Sequence, residues 1–176
     1  GTQVFFESGT ALKVNGAMIA EGTAGEPIKM TATKDNQEPG WWKGLAFYSN
    51  NANNSLAHVE VRHAGRSSMD NIREPANVAV ANGATASITN STIADGENYG
   101  LVLDDDESSL ESFSANSFSA NGTASMWIPF SSIGKIDSET SFPSDDYVRV
   151  FGSFVTLESD ATVAALSGDT PYRFSS

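Results

Sequence analysis

The sequence predicts an all-β chain wound into a single right-handed parallel β-helix of about eight coils. Three observations lead there. Apolar and polar residues alternate at period two along most of the chain. Two ladders of apolar residues recur in fixed phase. No window carries an apolar stripe over three helical turns; residues 107–118 come nearest, but their five serines and two phenylalanines make poor helix.

Taken in order, the alternating pairs Val4/Phe6, Leu12/Val14, Ile28/Met30, Leu45/Phe47, Val59/Val61, Val78/Val80, Leu101/Leu103, Met126/Ile128 and Val148/Val150 read as short strands. Leu56, Ile88 and Ile93 mark others, and Gly, Asn, Asp and Ser fill the turns between them. The first ladder is Val61, Ile93 and Phe118, at spacings of 32 and 25 residues. Five places before each stand Leu56, Ile88 and Phe113, and three places before stand His58, Asn90 and Ala115. A glycine closes each copy, at Gly65, Gly96 and Gly122. The second ladder is Leu45/Phe47, Val78/Val80, Leu101/Leu103 and Met126/Ile128, and its first three steps precede Val61, Ile93 and Phe118 by 13 to 15 residues.

Two strands per repeat in constant phase fit coils stacked on one another, with inward residues forming columns. A hairpin-built antiparallel sandwich is the alternative, invited by Asn82-Gly83 and Asn121-Gly122. In a coil, turns point outward and tolerate insertions, so residues 34–40 and 66–75 read as excursions.

The chain has 176 residues, enough for one domain spanning residues 1–176. Ten basic against 22 acidic residues give a net charge of −12, which opposes binding to nucleic acid or to an anionic membrane. With no cysteine there is no disulfide, thiolate metal site or cysteine nucleophile. No apolar run is long enough to span a membrane. The opening Gly1-Thr2-Gln3, without methionine, reads as an excised segment of a longer chain.

Several stretches resemble bacterial secreted right-handed β-helix repeat proteins. They are Gly9-Thr10-Ala11-Leu12-Lys13-Val14-Asn15-Gly16, Ala20-Glu21-Gly22-Thr23-Ala24-Gly25-Glu26-Pro27-Ile28, Trp41-Trp42-Lys43-Gly44-Leu45 and Leu56-Ala57-His58-Val59-Glu60-Val61-Arg62-His63-Ala64-Gly65. The resemblance implies an extracellular or cell-surface location. It implies a non-catalytic module that binds polysaccharide or a partner protein, or serves as a stalk. The same architecture also hosts enzymes, so the alternative is a polysaccharide lyase or glycoside hydrolase acting on an acidic polysaccharide. The paired aspartates with Gly-His-Gly, or the arginine motif beside calcium aspartates, that mark such enzymes are absent.

Three sets of residues are candidates for chemistry. The run Asp104, Asp105, Asp106 and Glu107 could gather oxygens around calcium, or form a solvated acidic turn. Arg62 and His63 cluster with His58, Glu60 and Arg66, and an arginine there could neutralise an acidic sugar. The third set comes from register. If Leu45/Phe47 and their equivalents point inward, Ala46, Ala79, Val102 and Trp127 point outward, flanked by Tyr48. An apolar outward column needs a cover. Either residues 66–75, with Met69 and Ile72, fold across it, or a partner or sugar ring stacks on Trp127. Asn90 and Asn116 could stack inside the coils. Phe5, Phe6 and Leu12 at one end and Tyr172 and Phe174 at the other leave apolar columns open to end-to-end self-association.

Overall fold

The computed structural model describes residues 1–152 and 162–175. Its strands lie in three parallel sheets. The first holds β1 (Gln3–Phe6), β4 (Ile28–Ala32), β7 (Val59–Arg62), β10 (Thr92–Ala94) and β13 (Ser117–Ser119). The longest, with seven strands, holds β2 (Ala11–Val14), β5 (Gly44–Phe47), β8 (Ala76–Val80), β11 (Tyr99–Leu103), β14 (Ala124–Pro129), β15 (Val148–Phe151) and β16 (Tyr172–Ser175). The third holds β3 (Ile19–Glu21), β6 (Ser55–Ala57), β9 (Thr85–Thr89) and β12 (Ser109–Ser114). From β1 to β11 each strand pairs with the strand three places on, so the chain visits the three sheets in turn. That order is consistent with a β-solenoid. Every strand pair among the described residues is parallel, which sets aside the antiparallel sandwich. After β14 a 3-10 helix, Phe130–Lys135, follows in place of the next third-sheet strand.

Both predicted ladders are registers of these sheets. Val61 pairs with Ile93 and Ile93 with Phe118; Leu56 pairs with Ile88 and Ile88 with Phe113. Leu45, Val78, Leu101 and Met126 form one column of the long sheet. These residues share a single buried cluster inside the coils.

The corners explain the polar positions of the repeat. His58, Asn90 and Ala115 link the third sheet to the first with φ of 51°, 50° and 52°. His63, Asp95 and Ala120 leave the first sheet with φ of 63°, 53° and 52°. Asn, Asp and His tolerate this left-handed region because their polar groups bond locally; alanine pays the full steric penalty there. Two closing glycines serve close approach, since a Cβ on Gly122 would lie 2.3 Å from the Glu97 carbonyl oxygen and one on Gly96 2.7 Å from Asn77 Nδ2, while Gly65 has a left-handed φ of 82°.

One side-chain ladder ties the first corner together. The Val59 N–H donates to Ser91 Oγ (3.1 Å), the Ser91 N–H to Asn116 Oδ1 (3.0 Å), and the Asn116 N–H to Thr140 Oγ1 (3.3 Å). Each coil thus satisfies the one before it where the backbone leaves its sheet. The expected Asn90–Asn116 stack does not form, because Asn90 is the exposed left-handed corner while Asn116 is buried. The asparagines that do meet are Asn77, through Nδ2, and Asn121, through Oδ1, at 3.0 Å.

Candidate binding cleft

The outer face of the long sheet positions the site. Its outward column runs Lys13, Ala46, Ala79, Val102, Trp127, Arg149, Arg173. Sequence alternation placed the middle four outward, and they do leave the inner core. They pack in a second apolar cluster with Met69 and Ile72. Residues 66–75 form a strap across them. Lys13 and Asp70 make an ion pair, and the Tyr48 hydroxyl donates to the Asp70 carbonyl at 2.9 Å. Burial, reinforced by the charges of Asp70 and Asp104, pushes the Tyr48 phenol up to about 12.

Of the two covers the sequence allows, the strap with Met69 and Ile72 is the one found. Val102 is 0% and Trp127 5% exposed, and the cover is the protein's own strap. The Trp127 ring lies 4.3 Å from the Phe151 ring, and the Arg73 guanidinium sits 4.5 Å from both. Trp127 is thus packed inside the protein and offers no open platform for a sugar ring.

Where the strap ends, a cleft of about 740 Å³ opens. The edge of Trp127 and the turn Asp104–Asp105–Asp106, separate candidates in the sequence, meet there with Arg73, Glu74 and Arg149. Asp104 is buried at the end of β11. Its Oδ1 accepts from the Arg73 backbone N–H (2.8 Å) and Nε (3.3 Å), and Arg73 also donates to the Asp104 carbonyl. Burial pushes the Asp104 carboxyl above its ordinary value, and the bonds from Arg73 oppose that only in part. Asp105 folds back on its own turn. Its Oδ1 accepts from the N–H groups of Glu107 (3.0 Å) and Ser108 (2.6 Å), and Oδ2 from Ser108 Oγ (2.9 Å). Burial raises Asp105, but the bonds from Ser108, joined by the Gly83 and Asn82 backbone N–H groups, outweigh it and hold the carboxyl below its ordinary value. Asp106 and Glu107 are exposed. The four acids thus diverge, and among the described residues no three His, Asp or Glu side chains gather as metal ligands.

Arg149, one place beyond Trp127 in the column, donates from Nη1 to the Tyr99 hydroxyl (2.7 Å) and from Nε to Ser175 Oγ (3.1 Å). Among the described residues no carboxylate lies within ion-pair distance of it. Sequence reading passed over Arg73, Glu74, Arg149 and Phe151. The signal for Arg149 was present: Val148/Val150 continue the second ladder, so the residue between them follows Trp127 outward.

Arg62 and His63 lie elsewhere, in a groove of about 310 Å³ on the first sheet with Lys29, Glu60 and Asp95. Arg62 bonds Glu60 (3.3 Å) and Asp95 (2.6 Å), and Lys29 bonds Glu60 (3.2 Å). Arg62 therefore has two carboxylates already. His63 is buried with Nδ1 at 2.7 Å from Thr31 Oγ1, and burial lowers its pKa. His58 occupies a different corner, and Arg66 donates to Ser8 Oγ (2.8 Å), so of the predicted cluster Arg62, His63 and Glu60 stay together while His58 and Arg66 lie apart.

No protein-family model, curated protein or solved structure matches this chain.

Proposed function

We propose that the chain is a right-handed parallel β-helix of about eight coils, serving as a non-catalytic extracellular or cell-surface module that binds polysaccharide. Handedness rests on the general rule that parallel crossovers turn right. The location rests on the resemblance to secreted repeat proteins. The observation that carries the binding reading is the cleft beside the strap. It is open, lined by carboxylates, guanidiniums and amides, and backed by a rigid sheet. Such a surface suits a ligand rich in hydroxyl groups more than an apolar peptide.

The test is retention of the protein on insoluble polysaccharides, with the supernatant assayed for new reducing ends and unsaturated sugars. Retention without products supports the reading, and no retention on any polysaccharide counts against it. Asp104 favours a second reading, a lyase or hydrolase, because a carboxyl raised by burial in a cleft is the usual form of a general acid. Products that vanish in the Asp104→Asn variant would establish that reading instead. Calcium at Asp104, Asp105, Asp106 and Glu107 belongs to the proposal only through Asp106 and Glu107, whose carboxylates have no side-chain hydrogen bonds among the described residues.

A further inference from the structure

We propose that the cleft is selective for neutral, hydroxyl-rich saccharides over uronic acids, with Asp104 as its buried acceptor and Arg149 as its donor; this rests on the saccharide-binding reading above. Charge comes first. Asp104, Asp105, Asp106 and Glu74 line the cleft against Arg73 and Arg149. Arg73 is committed to Asp104 and stacked on Trp127 and Phe151, so among the described lining residues Arg149 is the one cation left beside Asp105, Asp106 and Glu74. A uronate entering would add a negative charge beside three carboxylates and gain one guanidinium. A cation would meet the uncommitted Arg149, and the Asp105 oxygens that could hold it are turned to Ser108. Mixed signs this close together favour a ligand that carries no charge and can both donate and accept.

The second observation is an acceptor in need of a donor. The Asp104 side chain is only 8% exposed. Its Oδ1 is spent on Arg73, while Oδ2 accepts no hydrogen bond from any described residue. Oδ2 is therefore the Asp104 oxygen left open to the cleft, and a well-placed hydroxyl there makes a charge-assisted bond, which is a strong one. Arg149 complements it. Tyr99 and Ser175 fix its plane through Nη1 and Nε, and Nη2, which bonds no described residue, can donate to a second sugar oxygen. A pair of sugar hydroxyls can meet both demands at once, one donating to Asp104 and one accepting from Arg149. A uronate carboxylate can only accept, and leaves Asp104 unmet.

Affinity gel electrophoresis of the intact chain tests this, with neutral glucans, mannans and galactans beside polygalacturonate and alginate. Retardation by at least one neutral polymer and by neither uronate is expected, with little change on adding salt, since no net charge is neutralised. Arg149→Gln and Asp104→Asn should each weaken the neutral interaction about tenfold. Arg149 makes no hydrogen bond to the strap among the described residues, so its variant should keep the strap seated, and a thermal melt beside the gel measures what losing the Tyr99 bond costs. Retardation by uronates with none by neutral polymers overturns the selectivity while leaving saccharide binding standing. No retardation by any polymer sinks both. Full binding by both variants overturns the assigned roles of Asp104 and Arg149.

Discussion

At the residue scale, the corners carry the strain of the coil. Ala115 and Ala120 occupy the left-handed positions that Asn90 and Asp95 fill in the coil before. A non-glycine residue there costs about 1–2 kcal/mol, and Asn and Asp recover part of it. Ala120→Gly should therefore stabilise the fold by about 0.5–1 kcal/mol in urea denaturation, after the entropy of the added glycine is charged. Ala79→Gly, in the middle of β8, should destabilise by a similar amount. Equal effects of the two changes would contradict the corner assignment. Tyr48 supplies a titratable test. Its phenol is raised from 10.0 to about 12 in the folded state. A raised pKa stabilises the fold fully below the unfolded value and loses that contribution as pH climbs through the folded one. Stability should fall as pH rises through this window, and Tyr48→Phe should flatten the fall. Tyr99 and Tyr172, also raised by burial, account for the slope that remains.

At the element scale, the strap is what turns an apolar sheet face into core. Met69 and Ile72 are 6% and 5% exposed, and each contributes about 1.5–3 kcal/mol of apolar burial. Trp127→Ala should cost about 3–5 kcal/mol, because it empties the space between Phe151, Arg73 and Tyr99. A thermal melt reads this directly, and an unchanged melting temperature would mean that the strap does not seat on Trp127. Sequence and structure part company at this scale. Alternation gave most of the strands, the ladders and the outward column, because a buried parallel sheet leaves a period-two record; β3, three residues with only Ala20 buried, is too short to show one. It left open which cover lay on the column. Met69 and Ile72 were visible as apolar residues in an excursion, but their seat depends on the path of the loop. The Arg73–Asp104 contact joins residues far apart in sequence, and no local period marks such a meeting. The acidic run was likewise conspicuous, yet the sequence could not tell that Asp104 turns to Arg73 and Asp105 to Ser108.

At the scale of the whole molecule, the acidic turn and the open ends give two further predictions. Asp104 and Asp105 are engaged within the protein, so millimolar calcium should leave the melting temperature nearly unchanged; a rise of several degrees would mean that the turn rearranges to hold the ion. At the first coil the sheets end on β1, β2 and β3, with Phe5 41% and Ile19 63% exposed; at the far end Phe174 is 62% exposed. End-to-end association, our proposal for these edges, would continue the outward column by setting Arg173 beside Lys13. Like charges so placed repel, so association should grow with salt. A monomer at every salt and protein concentration would contradict it.

The central claim is that the outer face of the long sheet is sealed by the strap and binds saccharide only where the strap ends. Hydrogen–deuterium exchange with and without a saturating neutral oligosaccharide tests it most directly. The account predicts added protection confined to residues 71–74, 104–106 and 149–151, with β5 and β8 slow to exchange in both states. Protection that appears instead over Lys29, Glu60 and His63, or fast exchange of β8 without ligand, would contradict it.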